Sequence, residues 1–324
     1  MLLGYAAAPA ADDPAGTQVT FGREIGAILS VHCVVCHARG GSAPMPLTSY
    51  EEVRPWAKAI KEQTLARRMP KWHAARGFGA FLNDPALTPF ELSLIVSWVD
   101  GGMPRGAGGA GGAGGARGAR GARGARGAAV TIVVPARAER AVAQKGAHWV
   151  TGWSFEPGDP LITNATISSD VGVIGTWVAG DGDLTLPRAS AIRMSGRLRV
   201  EVRRRTATDF EQPFTPTRSV LRLTAATAEE TTRRVWVEHV GCGAFRTGRS
   251  ADLIAIRPIL SEGGSARLWM ERPGATTPLL AWFRDFDPRF PRTYWLARPA
   301  DFPIDARLQS DAPCELELTL ASRR

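Results

Sequence analysis

Hydrophobic positions change period twice along this chain. Between Thr20 and His32, Phe21, Ile25, Ile28 and Leu29 recur at helical spacing. Ser49-Tyr50-Glu51-Glu52 then reads as a capping box. The helix it opens is predicted to run through Trp56 and Ile60 to about Ala66. Arg67-Arg68-Met69-Pro70 ends it, because proline lacks the amide hydrogen and disfavours helix at the residue before it. Thr88-Pro89-Phe90-Glu91 opens a third helix, with proline at the first helical position. Its Leu92, Ile95, Val96 and Val99 face a core, and Asp100-Gly101-Gly102 closes it. After a stretch of Gly, Ala and Arg the period falls to two. Val130 to Val134, Arg197 to Val202, Val220 to Leu223, Val235 to Val240 and Glu315 to Leu320 read as short strands with turn signals between them.

The pattern predicts five segments. Residues 1–17 read as the remnant of a signal or tether, and 18–104 as a small all-α domain. Residues 105–129 form a linker, and 130–225 and 226–324 form two β-sandwich or jelly-roll lobes. The linker's triplets carry Arg117, Arg120, Arg123 and Arg126. Glycine at every third position without proline excludes a collagen helix. Such a composition cannot bury a core, so the linker is expected to be disordered, with a mean span of roughly 25 Å. Its arginines could touch an anionic membrane surface. The net charge of +9 comes almost wholly from arginine, the lysines being Lys58, Lys61, Lys71 and Lys145. No basic helix or nucleic-acid motif accompanies that charge, so nucleic acid is not expected as a partner.

The chemistry is concentrated in Cys33-Val34-Val35-Cys36-His37, the Cys-x-x-Cys-His attachment signature of haem c. Two thiols add across the porphyrin vinyl groups from one turn, and the adjacent imidazole can reach the iron. A thioredoxin-like site would need a preceding strand, and a structural zinc site a second ligand pair; neither is visible. Haem c is assembled outside the cytoplasm, so an exported, periplasmic chain is expected. There Cys242 and Cys314 could pair or stay free. Met1 to Ala11 is apolar but short and lacks a positive start, as if the start codon were placed late.

Three helices around this motif resemble a class I cytochrome c. The run Ala43-Pro44, Pro46-Leu47-Thr48, Tyr50-Glu51, then Arg54-Pro55-Trp56-Ala57-Lys58-Ala59-Ile60, a Met69-Pro70 segment and Ile95-Val96-Ser97-Trp98-Val99-Asp100, is similar to a bacterial cytochrome c module. The resemblance implies one covalent haem c with Cys33, Cys36, His37 and Met69 as its binding residues, and His37 and Met69 as iron ligands. Met69 lies 32 residues past His37. His73 and Met45 remain alternatives for the sixth ligand; His32 and Met103 are worse placed along the chain. A six-coordinate iron has no open position, so electron transfer to a redox partner protein in the cell envelope is expected rather than catalysis.

The β region resembles, more weakly, copper monooxygenases of the peptidylglycine-hydroxylating type. The likeness rests on His148-Trp149 to Gly158 and on Gly175-Thr176-Trp177-Val178-Ala179-Gly180-Asp181. That family implies copper-dependent hydroxylation by a histidine-rich ligand set. Here only His148 and His239 follow residue 130. Thr163-Asn164 and Val202-Arg203-Arg204-Arg205 stand where histidines would be needed. Copper is therefore not expected, and the β lobes are read as a docking or binding part. The alternatives are a haem-fed monooxygenase with a reduced copper site and a non-enzymatic haem sensor.

Overall fold

The computed structural model describes residues 18–106, 129–144, 146, 148–208, 213–227, 231–242, 245–272, 274 and 279–323. The expected leader at 1–17 and the triplets bearing Arg117, Arg120, Arg123 and Arg126 lie outside the described residues.

The helical segment begins where its caps place it. The Thr20 hydroxyl accepts the Arg23 amide at 3.3 Å, and a wide π-type turn, Phe21–Ile25, leads into α1 (Gly26–His32). Ser49 and Glu52 form the expected capping box at the head of α2 (Tyr50–Val53). One continuous helix was expected here. Instead Pro55 sits in a tight 3-10 turn, Arg54–Trp56, before α3 (Ala57–Leu65). The missing amide of proline costs one helical hydrogen bond, and the chain tightens there into 3-10 bonding, with the Ala57 amide donating to the Arg54 carbonyl. Thr88 and Glu91 cap α4 (Pro89–Asp100) reciprocally, again as the sequence indicates. Phe21, Ile25, Leu29, Val53, Ile95 and Trp98 share a small apolar cluster.

The small all-α cytochrome domain does not stand as expected, and the fold class is corrected to a mainly β molecule. Among the described residues there are sixteen strands, and the longest helix has 12 residues. Between α3 and α4 the chain runs out to the β body before returning to the helices at Pro85 and Leu87. Ala74 bridges to Phe283 and Phe81 to Leu296. The Ala75 amide donates to the Trp282 carbonyl at 2.7 Å, and the Leu82 amide to the Trp295 carbonyl at 2.8 Å. Trp72 and Phe81 close on Tyr294 with ring centroids 4.5 and 5.4 Å apart. A stretch with no apolar period of its own thus finds its burial in the β body.

In the β body one long sheet runs through both cores. A nine-stranded sheet runs β1 (Ala129–Val134), β9 (Ser219–Ala226), β3 (His148–Glu156), β7 (Ser190–Met194), β10 (Arg233–Gly241), β16 (Glu315–Ser322), β11 (Ala251–Ile259) and β14 (Tyr294–Phe302), with β6 (Leu184–Thr185) beside β3. It takes strands from both sides of residue 226. The crossing is the parallel pair β7–β10, with Ser190 opposite Arg233. Two smaller sheets cover it. The first is β2 (Arg140–Gln144), β8 (Arg197–Arg204), β4 (Ile162–Ser169) and β5 (Gly172–Val178). The second is β13 (Leu279–Phe283), β12 (Ala266–Glu271) and β15 (Arg307–Ser310).

Each small sheet encloses its own core against the long one. Val150, Trp153 and Leu223 meet Ile167, Trp177 and Val200 in the first core. Leu253, Tyr294 and Leu318 meet Leu268, Phe283 and Leu308 in the second. Strand alternation produces this directly, since Leu198, Val200 and Val202 of β8 are buried while Arg197 and Glu201 are exposed. Cys242 and Cys314 form a disulfide whose Cα atoms are 4.8 Å apart. No helix among the described residues is long and apolar enough to cross a membrane.

Candidate functional site

Cys33, Cys36 and His37 occupy one turn at the C-terminus of α1. The Cys33 amide still bonds back to the Leu29 carbonyl at 2.9 Å. The amides of Cys36 and His37 then both close on the Cys33 carbonyl, at 3.1 and 2.8 Å. The following loop folds back over the turn, since the Ala43 amide donates to the Cys36 carbonyl and the Leu47 amide to the His37 carbonyl, at 3.0 and 2.8 Å.

His37 is 8% exposed. Its Nδ1 lies 2.9 Å from the Met45 carbonyl. A carbonyl only accepts, so Nδ1 carries the proton, and Nε2 keeps a free lone pair with no hydrogen bond among the described residues. Burial holds the imidazole below its ordinary pKa, with the Met45 carbonyl opposing, and so favours the neutral ring. A histidine with Nδ1–H tied to a backbone carbonyl and Nε2 open is prepared to ligate a metal.

The two thiols are half-buried and unpaired. Burial, with Cys36 adding to it, pushes Cys33 up to about 12, and burial also raises Cys36. Redox Cys-x-x-Cys pairs have the opposite bias, towards thiolate. Among the described residues no group of three His, Cys, Asp or Glu side chains could hold a metal ion. Two protonated thiols and one open imidazole on a single turn fit a covalently attached porphyrin.

Met69 is half-buried and lines a cavity of about 670 Å³, together with Pro70, Trp72, Leu87 and Leu92. Lys71, Arg68 and Arg289 are also in its walls, whereas Cys33, Cys36 and His37 are not. The other sixth-ligand candidates are engaged elsewhere. Nδ1 and Nε2 of His32 lie 2.9 Å from the Pro85 carbonyl and 3.1 Å from Glu91. His73 is buried, with Nε2 accepting the Asp287 amide at 3.3 Å and Nδ1 3.2 Å from the Tyr294 hydroxyl. Burial pushes His73 down to about 4. The Met45 and Met103 side chains pack against the helical apolar cluster, while their carbonyls face His37 Nδ1 and the Tyr50 hydroxyl, each at 2.9 Å.

Gly180, Asp181, Arg292 and Arg205, none of them read as part of this site in the sequence, adjoin the turn. The stretch noted for a copper-enzyme likeness ends in a tight turn, Val178 to Asp181, closed by the Asp181 amide on the Val178 carbonyl at 2.8 Å. Gly180 has φ +90° there, and a Cβ on it would lie 2.6 Å from Cys36 Sγ. Asp181 pairs with the buried Arg292 guanidinium. Farther along, Arg205 donates from Nε and a terminal nitrogen to the Ser42 carbonyl, at 3.1 and 3.0 Å. None of the contacts between Cys36 and Gly180, Asp181 and Arg292, or Arg205 and Ser42 had a sequence signal, since each spans more than a hundred residues.

His148 and His239 lie on β3 and β10, which are separated by β7. His239 Nε2 is 3.2 Å from Glu315, and both side chains are more than half exposed.

No protein-family model matches the chain, and no curated protein matches it. Among solved structures, the major capsid protein P2 from bacteriophage PM2 aligns over 60% of this chain and 97% of its own, at 8% identity and a TM-score of 0.31. A223, a turret protein of Sulfolobus turreted icosahedral virus, aligns over 60% of this chain and 98% of its own, at 8% identity and a TM-score of 0.17. Likenesses at these scores carry no argument, and the β-sandwich character rests on the sheets themselves.

Proposed function

We propose that the chain is an exported electron-transfer protein carrying one covalent haem c, attached through Cys33 and Cys36. His37 serves as proximal iron ligand and Met69 as the sixth. The observation that carries this reading is the state of His37: buried, neutral, fixed through Nδ1 and open at Nε2, on the same turn as two protonated thiols. When bound, the haem supplies a one-electron iron couple, and a thioether ligand favours its reduced state.

The chain's own residues do the rest. The Met45 carbonyl fixes the imidazole tautomer. The loop from Ala43 to Leu47 returns to the turn through two backbone hydrogen bonds and so holds the Met45 carbonyl against Nδ1. A location outside the cytoplasm follows from the haem type and agrees with the Cys242–Cys314 bridge. The partner is a redox protein of the cell envelope.

The test is production of the full chain alongside haem-attachment machinery. The expected result is a mass gain of one haem that survives denaturation, with low-spin spectra and no stoichiometric copper. Cys33→Ala with Cys36→Ala should abolish the gain. A full-length, folded product without covalent haem would overturn the reading.

A further inference from the structure

Arg292 is 6% exposed, although it lies in a loop, and every one of its donor nitrogens is used. Nε donates to the Lys71 carbonyl at 3.1 Å. One terminal nitrogen donates to the Ala179 carbonyl at 2.9 Å, and the other pairs with Asp181. Lys71 is two residues past Met69, and Ala179 to Asp181 form the turn that meets Cys36. A single side chain from the second half of the chain thus ties the segment carrying Met69 to the turn that covers the attachment motif.

The covering turn is built for close approach. Its third residue, Gly180, needs a positive φ, as in a type II turn, and only glycine leaves room for Cys36 Sγ. Asp181 is fixed twice more in the same turn. Its Oδ2 accepts the Val178 amide at 3.0 Å, and its carbonyl accepts the Trp177 indole at 3.1 Å. Burial raises the Asp181 carboxyl, and Arg292 opposes that rise by stabilising the charged form. A buried guanidinium with three acceptors loses much if any one is removed, because the remaining charge has no water to replace it.

We propose that Arg292 is a positioning residue for the haem site: through Asp181, Ala179 and Lys71 it holds the Cys36 turn and the Met69 segment in fixed relation. The haem part of this inference rests on the function proposed above; the lock between the two segments does not.

Two readouts separate these parts. In the haem-free protein with intact thiols, the Cys36 alkylation rate reports how closely and how persistently the Val178 to Asp181 turn covers the half-buried thiol. Arg292→Met should speed it at least about tenfold, a factor set by loss of charge-assisted hydrogen bonds. Arg292→Lys, which keeps the charge but not the fork, should fall between. Gly180→Ala should also speed it, with Arg292 untouched. In the haem-loaded protein, Arg292→Met should reduce the methionine-to-iron absorption band and lower the midpoint potential. Wild-type alkylation rates in both folded Arg292→Lys and Gly180→Ala would overturn the lock. A faster rate with an unchanged methionine band would overturn the link to Met69. If the wild-type chain takes up no haem, the function proposed above fails, while the alkylation result still decides the lock.

Discussion

At the scale of single residues, His73 shows how the β body reshapes chemistry that looked available. It lies four residues past Met69, yet both ring nitrogens are spent inside the second core. Its Nε2 accepts a backbone amide, so the neutral ring is the form the fold requires. The sign of the pH effect follows. Burial depresses the folded-state pKa to about 4 from an ordinary 6.5, so the unfolded chain binds the extra proton first. The stabilisation is complete above pH 6.5 and is lost as pH falls towards 4. The loss should reach about 3 kcal/mol, at most about 1.4 kcal/mol per pH unit. Denaturant titrations at a series of pH values should show this slope, and His73→Gln should flatten it within that window. An unchanged slope in the variant would assign the effect to other groups.

At the scale of elements, caps decide where helices start. Thr88 accepts the Glu91 amide at 3.2 Å, while Glu91 accepts the Thr88 amide and hydroxyl, each at 2.8 Å. Thr88→Ala should cost about 1 kcal/mol and Thr88→Gly only a few tenths, as read from urea midpoints. The Ser49–Glu52 capping box and the helix start at Thr88-Pro89 were legible because they are local: four consecutive residues contain each interaction. The alternating strands were legible for a related reason, since one face of Leu198, Val200 and Val202 states its own burial. The interruption at Pro55 is equally local in hindsight. The fate of Trp72 to Phe81 was not legible, because their partners Phe283, Tyr294 and Leu296 lie more than two hundred residues away. The turn from Cys33 to His37 is contained in five residues, whereas Gly180, Asp181 and Arg292 around it come from far along the chain.

At the scale of the whole molecule, one sheet serves two cores. β7 and β10 carry the continuity, so the two sandwiches share a wall. The Cys242–Cys314 bridge ties β10 to β16 across 72 residues of chain. Closing a loop of that length removes unfolded-state entropy of about 4 kcal/mol in the chain-entropy view. Reduction, or Cys242→Ser with Cys314→Ser, should therefore lower unfolding stability by about 2–4 kcal/mol. An equilibrium denaturation series with and without reductant measures it, and equal midpoints would show that the bridge is not formed in solution.

The glycine turn that rests on Cys36 has a consequence in time. The motif is synthesised well before residues 178–181 and before Arg292, so it is bare while the chain emerges and covered once the chain is complete. Its thiols are fully open to modification on the unfolded chain and half-buried in the finished one. Because the residues that cover Cys36 come from far along the chain, the motif is most accessible before folding is complete.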